Sequence, residues 1–195
     1  MIEIKNHRLD SGTVSAGLDV LMDGLKADVS YTDPPWGPAL ESYFYNQIKE
    51  PTFPKSSTLL LDLMQTLKAQ TKQGQPIFIE YGRKWNSQVL GTAREAGLHH
   101  IVTFQATYAG GLHDVHLFNA EPKFDPKTIH PTTKGKDVAR LVIKAHAIPA
   151  GILLDPCCGK GFFARVAIEN QMRFFGNEPN VDRLAFTEKY IRHHS

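Results

Sequence analysis

The sequence lacks the long apolar runs and the cysteine patterns that mark several classes of protein. No apolar run approaches the roughly 18–20 residues that a membrane-spanning helix requires, and Met1 to Lys5 do not form a signal peptide. We therefore expect a cytoplasmic protein without membrane contact. The only two cysteines, Cys157 and Cys158, are adjacent, which excludes a disulfide framework and does not match the spacing of zinc ligands.

Charge and histidine content bear on two further classes, polycationic proteins and metal-binding proteins. The net charge is +2 over 195 residues, so the chain as a whole is no polycation, although a basic face is compatible with that total. The nine histidines follow no ligand pattern, and we expect no metal site. With 42% hydrophobic and 22% charged residues, the chain has the length and composition of one domain with its own core.

Apolar periodicity predicts alternating helices and strands. Residues 37–57 show no clear period, and we expect a long functional loop there with about one helical turn. Ser57 is predicted to cap the helix that follows this loop. The predicted helices cover 14–25, 58–70, 87–96, 137–147 and 162–170, and the predicted strands cover 27–32, 76–81, 101–108, 114–118, 151–154 and 173–176. The strands at 101–108 and 114–118 flank Ala109-Gly110-Gly111 and are predicted to form an antiparallel hairpin.

The tetrapeptide Asp33-Pro34-Pro35-Trp36 directly follows the predicted strand at 27–32. Two successive prolines cannot extend a central strand, so the backbone turns outward at this point. An acidic side chain, carbonyl acceptors and an indole on a rigid turn form a cup that fits a planar, amino-bearing ring. A proline-rich turn without a ligand is the alternative interpretation.

A strand, a glycine turn, a helix, a second strand and an acid follow one another in the final third of the chain. The strand at 151–154 ends in 155–161, DPCCGKG, where Gly159 and Gly161 open a helix, and the next strand ends at Asn177-Glu178. In α/β folds such glycines let the backbone approach a ligand, and the strand-end carboxylate can take both hydroxyls of an adenosine ribose. A turn that serves only helix packing is the alternative.

These residues resemble the motifs of S-adenosylmethionine-dependent amino-methyltransferases, in particular the permuted β-class DNA adenine-N6 methyltransferases. Residues 33–36 are similar to their D-P-P-[Y/W/F] motif, 155–161 to their D-P-F-x-G-x-G motif, and 130–134, HPTTK, to the H-P-T-x-K segment before it. The order is that of the permuted enzymes, and the resemblance spans about residues 17–191. It implies a Rossmann-like class I fold, with a mixed, mostly parallel sheet that is flanked by helices and is seven-stranded or one strand short.

The resemblance also implies a cofactor, S-adenosyl-L-methionine, and one domain over 1–195 with a catalytic half at about 1–129 and a cofactor half at about 130–195. Glu178 would hold the ribose, Asp155 would face the methionine amine, and Lys134 would lie near the carboxylate. The implied cofactor-binding residues are Asp33, His130, Pro131, Thr132, Lys134, Asp155, Pro156, Cys157, Cys158, Gly159, Gly161, Phe162, Glu178 and Pro179. A solvated helix start is the alternative for Lys134, and buried small hydrophobes are the alternative for the cysteine pair.

The implied catalytic residues are Asp33, Pro34, Pro35 and Trp36. Asp33 and the Pro34 carbonyl would accept hydrogen bonds from the N6 amino group of adenine, and Trp36 would stack on a base flipped out of the duplex. The chemistry requires no metal and no covalent nucleophile. The expected partner is DNA, with adenine in RNA or a protein glutamine as alternative targets, and a non-catalytic cofactor-binding subunit as an alternative function. We expect a monomer or a homodimer.

Two short segments combine cations with aromatic rings. Residues 83–85 carry Arg83, Lys84 and Trp85 after a predicted strand end, and residues 43–55 interleave aromatic residues with Lys49 and Lys55, beginning at Tyr43. Both compositions suit phosphate contact and base stacking, and ordinary surface loops are the alternative. The family's separate target-recognition insert finds little room between residues 37 and 129, which implies relaxed or short sequence specificity.

Overall fold

The computed structural model describes residues 1–48, 58–108 and 111–195. In these residues the strands are β1 Ile2–Ile4, β2 His7–Asp10, β3 Val29–Thr32, β4 Ile77–Gly82, β5 His100–Tyr108, β6 Gly111–Phe118, β7 Ile152–Asp155 and β8 Arg173–Asn177. The α-helices are α1 Val14–Met22, α2 Gly37–Tyr45, α3 Leu59–Gln70, α4 Asn86–Glu95, α5 Gly135–His146, α6 Phe162–Glu169 and α7 Val181–His194. Short 3-10 helices lie at Arg83–Trp85 and Pro126–Thr128.

All of these strands belong to one sheet in the order β1-β2-β8-β7-β3-β4-β6-β5. The pairings β2–β8, β8–β7, β7–β3 and β3–β4 are parallel, whereas β6 runs antiparallel to β4 and β5, and β1 runs antiparallel to β2. The mixed, mostly parallel sheet and the β5–β6 hairpin are therefore confirmed. The described sheet has eight strands, more than expected, because the first ten residues add a hairpin at its edge.

The central strands are hydrophobic because the sheet is covered on both faces. Every residue of β3 and of β7 is buried, as expected for parallel strands between two layers of helices. One apolar core joins the sheet to α5, α6 and α7, and a second core joins it to α1, α3 and α4. Among the described helices, none is long and apolar enough to cross a membrane.

Two helices differ from the sequence-based expectations. The segment from Gly37 is a nine-residue helix, α2, and not a loop with one helical turn. Its start is defined by proline in the first turn, which has no amide hydrogen to lose. The final helix, α7, was not predicted from the sequence. The Asn180 side chain caps it by accepting a hydrogen bond from the Arg183 amide at 3.1 Å. Ser57 lies outside the described residues.

The sheet order places three acidic residues together. The strands β7, β3 and β4 are neighbours, and their carboxyl ends meet at one edge of the sheet. Asp155 ends β7, Asp33 follows β3, and Glu80 lies on β4 just beyond the register pair Thr32–Ile79. This carboxyl edge is where open α/β sheets bind ligands.

Candidate active site

A cleft of about 610 Å³ opens at the carboxyl edge of the sheet. Its walls are residues 33–36, the turns after β7 and β8, one side of α2, the starts of α1, α3 and α7, and Tyr108 of β5. The volume lies within the roughly 300–1,000 Å³ typical of small-molecule sites. The helix α2 contributes side chains to the wall of this cleft. It belongs to neither hydrophobic core.

The acid and the indole of the proline turn are joined to each other. The Trp36 Nε1–H donates a hydrogen bond to Asp33 Oδ1 at 2.8 Å. The indole is also held from outside the turn: the His113 ring stacks on it with centroids 5.3 Å apart, and Tyr108 meets it edge-on at 6.4 Å. Both side chains of the cup therefore have a defined orientation toward the cleft.

Gly37 explains how the chain leaves the two prolines. Its φ of +75° lies in the left-handed region, its amide donates to the Tyr81 hydroxyl at 2.8 Å, and a Cβ at this position would lie 2.6 Å from the Trp85 ring. Only glycine satisfies these three conditions. Trp85 is partly buried against the second core and its indole nitrogen is buried, so this ring supports the turn from below.

The carboxyl groups of Asp33 and Asp155, at the ends of the neighbouring strands β3 and β7, have pKa values above the usual range of an aspartic acid. Asp33 is exposed and lines the cleft, yet desolvation by the protein atoms around its carboxyl group, together with the Glu80 carboxylate, raises the pKa of Asp33. Burial raises the pKa of Asp155 to about 7. The Cys157 amide donates to Asp155 Oδ1 at 3.0 Å. The Thr32 hydroxyl also interacts with this carboxyl and, like the Cys157 amide, moderates the rise of its pKa.

The carboxylate of Glu178 forms another wall of the cleft. Its Oε1 accepts a hydrogen bond from the Asn180 amide at 2.9 Å, and its Oε2 lies 3.7 Å from Nε of Arg183. Burial raises the pKa of Glu178. The Arg183 guanidinium lies over the Phe44 ring at 4.7 Å, and Asn180 Nδ2 donates to the Gln47 carbonyl at 2.9 Å. The end of α2 is thereby tied to the start of α7.

The cleft brings together eight of the residues proposed from the sequence. They are Asp33, Pro34, Pro35, Trp36, Pro156, Cys157, Glu178 and Pro179. Burial raises the pKa values of both cysteine thiols, so neither is a thiolate at neutral pH. Cys157 contributes to the cleft wall as a small hydrophobe, and Cys158 belongs to the first core.

The glycine turn lies beside the cleft and does not form part of its wall. A Cβ on Gly161 would lie 2.6 Å from Oγ1 of Thr187, and φ there is +81°. Helix packing against α7 therefore accounts for Gly161. A Cβ on Gly159 would meet the Arg183 guanidinium at 2.7 Å, which places Gly159 next to the Glu178 wall. Phe162 packs against the first core beneath Lys136 and Arg140.

The segment 130–134 lies alongside the β5–β6 hairpin and not in the cleft wall. The Thr107 amide donates to the Thr133 carbonyl at 2.9 Å, and Thr107 forms an isolated parallel bridge with Lys134. This segment also contains His130, Pro131 and Thr132, whose side chains are mostly exposed. The segment is therefore adjacent to Tyr108, the residue of β5 that reaches the cleft.

The outer side of Trp36 borders a shallow basic depression. Arg83, Lys84 and Leu112 line it together with the indole. Arg83 Nε lies 3.8 Å from Asp114 and Lys84 is exposed. Tyr43 is 57% exposed on α2 and does not line the cleft. Lys49 and Lys55 lie outside the described residues.

Sequence reasoning missed several residues of this site. Arg183, Asn180, Tyr108 and the α2 side chains Leu40 and Phe44 all line the cleft. The spacing of Leu40 and Phe44, four residues apart, is the one local signal that marks a helix face. Among the described residues no group of three or more histidine, cysteine or acidic side chains is placed to hold a metal ion.

Comparison with known proteins gives structural matches only. No family model matches the sequence, and no curated protein matches it significantly. The fold matches M1.HpyAVI with a TM-score of 0.69 at 15% identity over 94% of this chain and 98% of that one. It matches TTHA0409 of Thermus thermophilus, solved with S-adenosyl-L-methionine, with a TM-score of 0.69 at 14% identity over 96% and 94%.

A third match is the PvuII DNA methyltransferase, which is cytosine-N4-specific, with a TM-score of 0.65 at 12% identity over 96% of this chain and 86% of that one. TTHA0409 is described as a putative DNA modification methylase. The match extends over nearly the whole chain in each case. The Rossmann-like class I methyltransferase fold that the motifs implied is therefore confirmed.

Proposed function

We propose that the protein transfers a methyl group from S-adenosyl-L-methionine to the N6 amino group of adenine in DNA. The observation that carries this proposal is that a single cleft contains both the Asp33–Trp36 cup and the strand-end carboxylate Glu178. Asp33 follows β3 and Glu178 follows β8, with β7 between them. With strands about 4.8 Å apart, the two strand ends are about 10 Å apart, which suits an elongated ligand with adenosine at one end and its reacting group at the other.

The residues of the cleft fit this cofactor. Glu178 presents a buried carboxylate for ribose hydroxyls, and Asn177 Oδ1 in the cleft wall is a buried oxygen with no hydrogen-bond partner among the described residues. Such an orphaned acceptor is costly unless a ligand satisfies it. Asp155 would accept the ammonium group, whose positive charge favours the ionised carboxylate. The cofactor supplies an electrophilic methyl group on a sulfonium.

The cup would orient and activate the accepting nitrogen. Because the lone pair of an exocyclic amine is delocalised into the ring, hydrogen-bond acceptors beside its N–H groups increase the electron density on nitrogen. Asp33 keeps one oxygen on Trp36 and has the other available, and the Pro34 carbonyl is the second acceptor. The face of Trp36 away from His113 would stack on the base. Alignment of the nitrogen with the methyl group supplies much of the acceleration.

The surface around the cup supports DNA as the substrate. Lys84 and the partly exposed Arg83 border the outer side of Trp36, where phosphates would be neutralised. Tyr108 and Leu112 are 62% and 51% exposed beside them, so aromatic and apolar surface adjoins the cations. A base must leave the stack to reach the cleft. One structural neighbour is a DNA methyltransferase and another is described as a putative DNA modification methylase, which supports the same choice.

Cytosine N4 is the second candidate, because one neighbour is a cytosine-N4-specific enzyme. The cup recognises an amino-bearing ring, a feature that cytosine shares with adenine. For either target base, we propose relaxed or short specificity for the surrounding DNA sequence. Between residues 58 and 129 the described chain is occupied by α3, β4, α4, β5 and β6, which are elements of the sheet and its helix layers.

The test is to incubate the protein with labelled cofactor and with DNA, RNA and protein in parallel, and then to digest the DNA to nucleosides. N6-methyladenine as the main product supports the proposal. N4-methylcytosine as the main product would favour the second candidate. Label confined to RNA or to protein glutamine would overturn DNA as the substrate, and cofactor binding without any transfer would indicate a non-catalytic partner subunit.

A further inference from the structure

A buried acid and imidazole lie directly behind Trp36, and the chemistry described above does not use them. His113 on β6 is fully buried, and its Nε2 lies 2.6 Å from Oε1 of Glu80 on the neighbouring strand β4. The second oxygen of Glu80 accepts a hydrogen bond from the Tyr31 hydroxyl at 3.2 Å. The hydrogen bond from Tyr31 and the close contact with the His113 ring, which lacks hydrogen-bond geometry, together hold the Glu80 carboxyl group in place.

His113 contacts both Glu80 and the Trp36 ring of the cup. Its ring stacks on the Trp36 indole with centroids 5.3 Å apart and planes 29° apart. The edge of the same indole carries the Nε1–H that donates to Asp33. A continuous series of contacts therefore leads from Glu80 through His113 and Trp36 to the Asp33 carboxylate.

The first residue of α5, Gly135, packs against both Glu80 and His113. A Cβ on Gly135 would lie 2.7 Å from Oε1 of Glu80 and 2.7 Å from Nε2 of His113. The helix backbone therefore packs directly on both groups. Gly82 provides a similar close approach on the sheet side, where a Cβ would lie 3.2 Å from the Trp36 ring. The imidazole is therefore tightly enclosed, and the indole is closely packed on the side of Gly82 and His113 while its outer side borders the basic depression.

On the basis of the function proposed above, we propose that Glu80 and His113 are positioning residues that fix the plane of Trp36. The ring and the Asp33 carboxylate then reach an amino-bearing base in one arrangement. The competing explanation is that Glu80 and His113 only stabilise the core. If they position Trp36, altering either residue changes the motion of the indole; if they only stabilise the core, it does not.

The chain offers a matched control on the same strand. His116 is also fully buried on β6, but three positions along a strand place it on the opposite face of the sheet. Its ring contacts Thr103 and packs near Phe118. Replacing either histidine removes a buried imidazole, but only the replacement of His113 removes a contact with Trp36.

The experiment measures the fluorescence anisotropy of Trp36 in His113→Ala, Glu80→Gln and the control His116→Ala. Trp85 is the only other tryptophan, so the Trp36 signal is the difference between each protein and the same protein carrying Trp36→Phe. The rate of methyl transfer and the affinity for cofactor are measured in parallel. Melting curves identify variants that do not fold, and Glu80→Gln, which keeps the shape of the side chain, serves if His113→Ala is one of them.

We expect His113→Ala and Glu80→Gln to lower the anisotropy of Trp36, whereas His116→Ala leaves it unchanged. The two variants should lose roughly 10- to 100-fold in turnover, as expected for a displacement of about 1 Å, while cofactor affinity changes by less than about twofold. The double variant Glu80→Gln with His113→Phe restores a ring beside Trp36 without burying a lone charge, and should recover the anisotropy.

Unchanged Trp36 anisotropy in folded His113→Ala or Glu80→Gln would overturn the inference. An equal loss of turnover and anisotropy in His116→Ala would also overturn it, because the effect would then be a general weakening of the core. The anisotropy measurement needs no substrate. If the wild-type protein transfers no methyl group, the proposed function fails while this measurement still decides whether the pair orients Trp36.

Discussion

The indole nitrogen of Trp36 donates a hydrogen bond to Asp33 Oδ1 at 2.8 Å, so the first and last residues of one tetrapeptide bind each other across two prolines. One oxygen of Asp33 is therefore already engaged, and the other is available to a ligand. The bond also couples the direction of the carboxylate to the plane of the ring. A substitution of either residue should then affect the other.

Asp33→Ala should reduce methyl transfer by at least about 100-fold, because the accepting nitrogen loses a polarising group that acts mainly in the transition state. Cofactor affinity and melting temperature should stay close to those of the wild type, since Asp33 lies away from Glu178. Single-turnover assays and calorimetry measure these quantities. Full methylation by the purified variant would show that the amino group binds elsewhere.

Trp36→Ala should weaken capture of the target base by about 1–3 kcal/mol, the contribution of one base–aromatic stack. Trp36→Phe should recover most of this loss because a ring face remains, although it cannot replace the hydrogen bond to Asp33. The measurement is the affinity for an oligonucleotide with an unpaired target base. Equal losses in the two variants would rule out stacking as the role of the ring.

Glu178→Gln and Glu178→Ala should weaken S-adenosyl-L-methionine binding by about 1.5–3 kcal/mol for each hydrogen bond to the carboxylate that is lost. Glutamine keeps an acceptor for the Asn180 amide and so preserves the start of α7. Isothermal calorimetry gives the affinities, with Glu188→Ala, on α7 but outside the cleft wall, as the control. Unchanged affinity in folded variants would remove Glu178 from the site.

The stability of the ligand-free protein should fall as the pH rises from about 4 to about 7 because of Asp155. Burial raises its folded-state pKa to about 7, so the folded state holds a proton that the unfolded state releases at lower pH. The contribution is of the order of 2–4 kcal/mol. Asp155→Asn should therefore raise the melting temperature at pH 8 and weaken cofactor binding. A lower melting temperature for this variant at pH 8 would contradict this account.

The rate of methyl transfer should fall on the acid side as Asp33 becomes protonated, since only the carboxylate accepts both N–H and indole donors. Desolvation and the nearby charges of Glu80 and Asp155 raise the pKa of Asp33, whereas the Trp36 hydrogen bond and the Arg183 charge lower it. This decline should therefore occur above the usual range of an aspartic acid. Glu80→Gln removes one negative charge and should shift the decline to lower pH in a single-turnover pH profile.

The sequence by itself determined the elements with strong local signals. Buried β-branched and aromatic runs identified β3, β4, β7 and β8, and the prolines and glycines after them identified the turns. The cup at 33–36 and the acid at Glu178 could be proposed for the same reason, since each depends on residues that are adjacent in the chain. The helix α2 was missed because its apolar face covers a cleft, and its aromatic and proline residues give a weak helical period.

Only the tertiary structure decided which of these segments meet. Glu80 and His113 are 33 residues apart in sequence and are brought into contact by the antiparallel pairing of β4 and β6. Arg183 reaches Glu178 and Phe44 because α7 returns along the sheet beside the end of α2. The segment 130–134 lies alongside β5 and outside the cleft wall because Lys134 forms a parallel bridge with Thr107. Such contacts depend on strand order and on the side of the sheet that each helix covers, and local periodicity specifies neither.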